Sequence, residues 1–213
     1  MSRLTRDLDR WTAPHLERSA LLVIDTQRDF VDGRASPIDG TTAVVPAIVR
    51  LVTAYRAASR PIVHVVRLYA GEDVDLVRRT ALAVGAGFAR PGTAGSQVVP
   101  ELTVPDLDPA LLLAGGLQVV SPTESVLFKP RWSAFHRTRL EEHLAGLGID
   151  TVVVAGCNYP NCPRATIFGA SERDLRVLIA ADAVSGVDDR HLEESGRIGA
   201  VHADVDEIVA MLG

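Results

Sequence analysis

The sequence predicts an α/β fold, a three-layer α/β/α sandwich around a mostly parallel sheet. Three observations carry this. Short apolar, β-branched runs alternate with helical patterns along the chain. Each run is almost continuously apolar, as expected of parallel strands covered on both faces. The 213 residues suffice for one substantial core, and with aromatics at only 5% that core must be built from Val, Leu, Ile and Ala.

Taken in order, the strands are "ALLVID" (20–25), "PIVHVV" (61–66), "SVLFK" (125–129), "TVVVAG" (151–156) and "RVLIAAD" (176–182). Between and after them, "TAVVPAIVRLVTAYRAAS", "TRLEEHLAGLG", "PRATIFGASERD", "DDRHLEESGRIGA" and the terminal "VDEIVAML" read as helices. Thr138 and Glu141 have the T-x-x-E spacing of a capping box for a helix at 139–146. One domain is expected over 1–213, with an N-terminal extension at 1–18. Residues 70–123, rich in Gly, Pro and Ala, break the rhythm and read as an extended connection over the sheet edge with one short helix before it, either a lid or a passive insertion.

Composition narrows the function. A net charge of −5 argues against nucleic acid or an anionic membrane as partner. The first 19 residues alternate charge without an apolar h-region, and no apolar segment reaches membrane-spanning length. A cytoplasmic protein with reduced thiols is expected, since only two cysteines occur, Cys157 and Cys162. The six histidines, at 15, 64, 136, 143, 191 and 202, show no metal-ligand spacing, so no metal is expected. No phosphate-cradling glycine motif follows a strand, so no cofactor is expected either.

In parallel sheets ligands bind outside the carboxyl ends of the strands. Asp25 ends the first strand, Lys129 ends "SVLFK", and Cys162 lies in the loop after "TVVVAG". Each has a plain alternative: Asp25 as a cap, Lys129 as a solvated side chain before Pro130, Cys162 as a small buried hydrophobe. Their convergence on one edge favours chemistry. Lys129 is also the one lysine among 22 basic residues, in a chain that otherwise uses arginine. Pro163 suits the first helical position, which places Cys162 at an N-cap and predicts a lowered thiol pKa. Cys157 reads as a packing residue. A four-residue gap within one tight loop gives poor disulfide geometry.

The stretches "ALLVIDTQRDFVDG", "LFKPRWSAFHRTRLEEHLAGLGIDTVVVAG" and "GCNYPNCPRATIFGASERDLRVLIAADAVSG", with "GTAGSQVVPEL" between them, resemble the isochorismatase-like cysteine hydrolases. The resemblance implies a Rossmann-like, six-stranded parallel sheet and an Asp–Lys–Cys triad of Asp25, Lys129 and Cys162. It implies an oxyanion hole from the backbone N–H groups of Asn158 and Cys162, and a cis peptide between Cys157 and Asn158. Phe30, Trp132 and Phe135 would line the pocket, joined by Gln27, Arg67, Tyr69 and Arg164. The cysteine points to the amidase branch, because isochorismatases proper lack it. The D-x-H metal motif of nicotinamidases is replaced by "VVRLYAGED", and "CNYPNCPR" resembles the streptothricin hydrolase subgroup, which opens a lactam. The implied activity is hydrolysis of a small-molecule amide, lactam or ureido C–N bond through a thioester, in a homodimer. The rivals are ether hydrolysis, thiol redox chemistry, which a lone thiol without C-x-x-C disfavours, and a non-catalytic small-molecule-binding domain on the same fold.

Overall fold

The computed structural model describes residues 9–31 and 33–212. Among these, seven strands form one sheet: β1 (Ser19–Ile24), β2 (Ile62–Val66), β3 (Leu117–Ser121), β4 (Glu124–Phe128), β5 (Thr151–Gly156), β6 (Arg176–Val184) and β7 (Val201–Ala203). Their order is β3-β4-β2-β1-β5-β6-β7. All pairings are parallel except β3 with β4. The chain builds outward from β1 in one direction, then returns to build outward in the other. The reversal of strand order falls between β1 and β5, which is where a crevice opens in such sheets.

Alternating side chains feed two cores. Leu21 and Val23 of β1, with Val153 and Ala155 of β5, pack under α1 (Thr41–Ala57) and α7 (Val205–Leu212). Ala20, Leu22 and Ile24, with Val152 and Val154, pack under α4 (Leu140–Gly146), α5 (Cys162–Ser171) and α6 (Asp189–Gly196). That completes the three layers. Every residue of β1 and β5 is buried, which is why both read as unbroken apolar runs.

The expected six strands become seven, and two had no signal. β3 is a half-buried edge strand, "LQVVS", whose mixed pattern lacks an apolar run. β7 is three residues long. Segment 70–123 contains the expected short helix, α2 (Leu76–Ala83), and beyond it is more ordered than an extended connection, since it also holds α3 (Pro109–Leu113) and β3 itself. The N-terminal extension lies partly outside the described residues and ends in a 3-10 turn, Leu16–Arg18. The capping box does not form. Arg139 holds the N-cap position without a side-chain cap. Glu141 instead accepts from Arg173 Nε at 2.6 Å, a partner 32 residues away.

Gly156 fixes the junction of β1 and β5. It pairs with Ile24 and adopts φ +115°, which L side chains rarely reach. A Cβ there would lie 2.6 Å from the Ile24 nitrogen and 2.8 Å from its carbonyl carbon. Gly156→Ala is therefore expected to destabilise the fold by about 3 kcal/mol or more, from strain and backbone overlap together. A denaturant midpoint within error of the parent would show that this junction yields freely.

A buried polar cluster ties α1 to the sheet. Glu124 accepts from His64 Nε2 at 2.7 Å and from Arg56 at 2.7 and 2.9 Å. Burial would raise the Glu124 pKa, but the hydrogen bonds from His64 and Arg56 outweigh it and hold the group at about 2. Burial also pushes His64 below its ordinary 6.5. Both folded values are depressed, so the unfolded chain takes up protons first on acidification. Stability is expected to decline as pH falls below 6.5 through His64. It should fall again from 4.5 towards 2 through Glu124. Glu124→Gln should flatten the lower limb in urea titrations, and an unchanged limb would exclude Glu124 as its source.

Candidate active site

Strand register assembles the site before any side chain is considered. Ile24 pairs with Val65 and Gly156, and Val66 pairs with Phe128. The residues just past these ends, Asp25, Arg67, Lys129 and Cys157, therefore stand in one row across β1, β2, β4 and β5. The Asp25 amide donates to Val65 O at 2.8 Å, and that of Lys129 to Val66 O at 3.0 Å. Asp25 turns off the strand with φ +50°, an uncommon conformation for a non-glycine residue.

Asp25, Lys129 and Cys162 converge. Lys129 Nζ donates to Asp25 Oδ2 at 2.8 Å and to Cys162 Sγ at 3.1 Å. Lys129 is fully buried, and Asp25 and Cys162 are 3% and 5% exposed. An ammonium in such a place is tolerable only when paired and hydrogen-bonded. Asp25 Oδ1 has no hydrogen-bond partner among the described residues. The solvated-lysine alternative is thereby ruled out.

Two expectations about the thiol are corrected. Cys162 is the first residue of α5, with Asn161 at the N-cap and Pro163 one position further in than expected. Its pKa is raised, not lowered: burial and then the Asp25 carboxylate push it up to about 11, against the pull of Lys129 and Arg67. Burial was invisible to the helix-terminus argument and outweighs it. The resting site thus holds a thiol beside a carboxylate.

The 157–158 peptide is also corrected. No described peptide bond is cis. The chain reverses instead through Gly156 at φ +115° and a turn closed by the Asn161 amide donating to Asn158 O at 3.1 Å. Nevertheless the amides of Asn158 and Cys162 have no acceptor among the described residues. Both cysteines are free thiols. Cys157 Sγ donates to Asp25 O at 2.9 Å, and its side chain packs with Phe30, Tyr69, Val74 and Phe88.

The expected pocket residues divide. Arg67 is buried with Nη2 3.9 Å from Cys162 Sγ, and its guanidinium lies 5.0 Å from the Trp132 ring. Trp132 also lines an open cavity with Pro160, Asn161, Arg164, Ala165 and Phe168. Phe30 and Tyr69 are buried in the small cluster around Cys157. Phe135 belongs to the core beside α5 and lies under Arg173. Gln27 faces no ligand: its amide is consumed by the backbone of Arg67 and Ser96. Asp75, which pairs with Arg67 at 2.8 Å, stands at the N-cap of α2, where an aspartate reads as a helix start rather than a site residue. Among the described residues, no group of three or more His, Cys, Asp or Glu side chains is placed to hold a metal ion. No described helix is long and apolar enough to cross a membrane.

Fold and site together define a parallel-sheet α/β protein with a thiol centre at its switch point. The chain belongs to the isochorismatase family, whose isochorismatase domain matches residues 19–198. It is 31% identical over 182 residues to an Arabidopsis thaliana protein named "Probable inactive nicotinamidase", covering 83% of each chain. The solved isochorismatase family protein of Desulfovibrio vulgaris superposes with a TM-score of 0.77 at 31% identity, covering 92% of this chain and 98% of that one. The N-carbamoylsarcosine amidase of Thermoplasma acidophilum superposes at 0.70 with 26% identity, covering 89% and 97%.

Proposed function

We propose that this protein is a cysteine-dependent hydrolase of C–N bonds in small amides, lactams or ureido compounds, acting through a thioester on Cys162. The carrying observation is the buried Lys129 ammonium within hydrogen-bond reach of both Asp25 and Cys162. Likeness to an amidase of known structure supports the same bond class. The Arabidopsis relative is named as probably inactive, which keeps a non-catalytic domain as the second reading.

Asp25 Oδ1 is free to accept the thiol proton as sulfur attacks the substrate carbonyl. Burial pushes the resting thiol up to about 11, so the sulfur becomes a thiolate only as Asp25 takes its proton. Lys129 holds Asp25 in place and supports negative charge on sulfur. The unoccupied amides of Asn158 and Cys162 receive the carbonyl oxygen as it becomes anionic. Protonated Asp25 then gives its proton to the leaving nitrogen, and the C–N bond breaks. Asp25 next takes a proton from water, which attacks the thioester and frees the acid, and the proton returns to sulfur.

Incubation with a panel of amides, ureido compounds and lactams, a streptothricin-type lactam included, should yield an acyl mass on the Cys162 peptide, with nitrogen released from an open-chain substrate and retained as a free amine within the adduct from a lactam. Binding without turnover or adduct by any compound class would favour a non-catalytic binding domain. We infer a cytoplasmic homodimer from the two reduced thiols and from Leu76, Val77 and Val84, which are exposed on and beside α2. A monomer mass in light scattering would exclude the dimer.

A further inference from the structure

Arg67 follows β2 as Lys129 follows β4, and the pairing of Val66 with Phe128 sets them side by side. The Arg67 side chain is 3% exposed. Its backbone is clamped: Gln27 Oε1 accepts from the Arg67 amide at 2.7 Å, and Gln27 Nε2 donates to its carbonyl at 2.8 Å. The guanidinium carbon lies 5.0 Å from the centre of the Trp132 ring and 5.8 Å from that of Tyr69. Nη1 pairs with Asp75 Oδ2 at 2.8 Å, while Nη2 reaches Cys162 Sγ at 3.9 Å.

This pairing is incomplete. A guanidinium can grip a carboxylate with two parallel bonds, but Arg67 Nε and both Asp75 carboxylate oxygens are buried without hydrogen-bond partners, so the 2.8 Å contact is an ion pair without hydrogen-bond geometry. Asp75 therefore balances only part of the charge, and the face left over is turned to the sulfur. The charged and titratable groups around Cys162 are Asp25 from the end of β1, Arg67 from β2, Lys129 from β4 and Cys157 from β5. Asp75 and Tyr69 are the further groups that act on Arg67. Two cations thus confront one sulfur.

We infer that Arg67 is a second cationic partner of the Cys162 sulfur, and that Asp75 is a positioning residue that sets how much of that charge the sulfur receives. The inference rests on the reading of Cys162 as nucleophile. When the thiol proton passes to Asp25, the electron pair left on sulfur is stabilised by Lys129 and Arg67 together. When the S–C bond forms, that charge passes to the carbonyl oxygen, which the loop amides hold. Arg67 therefore favours the thiolate over the tetrahedral adduct, and Asp75 limits that bias so that the sulfur remains a willing nucleophile. The direction of the pull on the thiol supports this, since both cations lower what burial and Asp25 raise.

The test is the rate of Cys162 alkylation by iodoacetamide at pH 8.5, read by peptide mass, with thiolate absorbance near 240 nm measured against Cys162→Ser. A neighbouring charge at this range moves a pKa by about one unit. Arg67→Met should slow alkylation about 10-fold, and Asp75→Asn should speed it several-fold. The absorbance midpoint should move up and down correspondingly, which a mere change of access would not do. Shifts in the same direction, or none, would overturn the inference. If Arg67→Met does not fold, Asp75→Asn decides alone: an unchanged or upward midpoint refutes it. Whether Cys162 is the nucleophile is read separately, from hydrolysis by Cys162→Ser.

Discussion

Cys162→Ser is expected to remove hydrolysis, by roughly 1,000-fold or more, while Cys157→Ser keeps most of it. The two residues share a loop and a chemical group but not an environment. Cys162 Sγ faces Lys129 and Arg67 at 3.1 and 3.9 Å beside the Asp25 carboxylate. A serine hydroxyl there is far harder to ionise and would meet the same base. Cys157 gives its hydrogen bond to a backbone carbonyl and packs against aromatic rings. Burial and Asp25 raise its pKa well above the ordinary thiol value. Serine can keep that hydrogen bond at a cost of about 1–2 kcal/mol for placing a hydroxyl among apolar neighbours. Turnover and thermal midpoint, measured on both variants, separate the roles. Equal loss of turnover would remove the distinction.

Lys129→Arg should cost about 100-fold or more in kcat despite conserving charge. Lys129 is fully enclosed, and one compact ammonium reaches both Asp25 and the sulfur. A planar guanidinium is larger and presents its donors in a fixed fork. Seating it requires displacement of Asp25 or of α5, with overpacking of about 1–3 kcal/mol. Steady-state kinetics with a far-UV spectrum as fold control would check this. Turnover near the parent value would make Lys129 incidental.

Both sites of substitution were visible in the sequence, and for one reason. Asp25 and Lys129 abut buried strands whose apolar runs mark their own ends, and Cys162 follows a third after a short loop. What stayed hidden depends on contacts between distant segments. β3 carries no apolar run because it is a half-buried edge. The partner of Arg67 is Asp75, at the N-cap of α2, where nothing local points to a distant arginine. Glu141 satisfies a helix-start spacing, yet a long-range arginine takes it. The direction of the Cys162 shift is not legible locally, because a helix terminus shows in the sequence whereas desolvation is a property of the finished core.

The enclosure of Cys162 has a consequence for how the protein endures in an oxidising challenge. Oxidants such as peroxide react with thiolates, and an unfolded chain presents both sulfurs openly with ordinary acidity. In the folded protein Cys162 is 5% exposed and stays protonated well above neutral pH. Sulfenic acid formation is accordingly suppressed until a carbonyl compound enters and accepts the sulfur's electrons. On the proposed reading of Cys162 as nucleophile, folding would make it usable while also shielding it between turnovers, so damage to Cys162 should mark chains that have lost their sheet rather than chains at work.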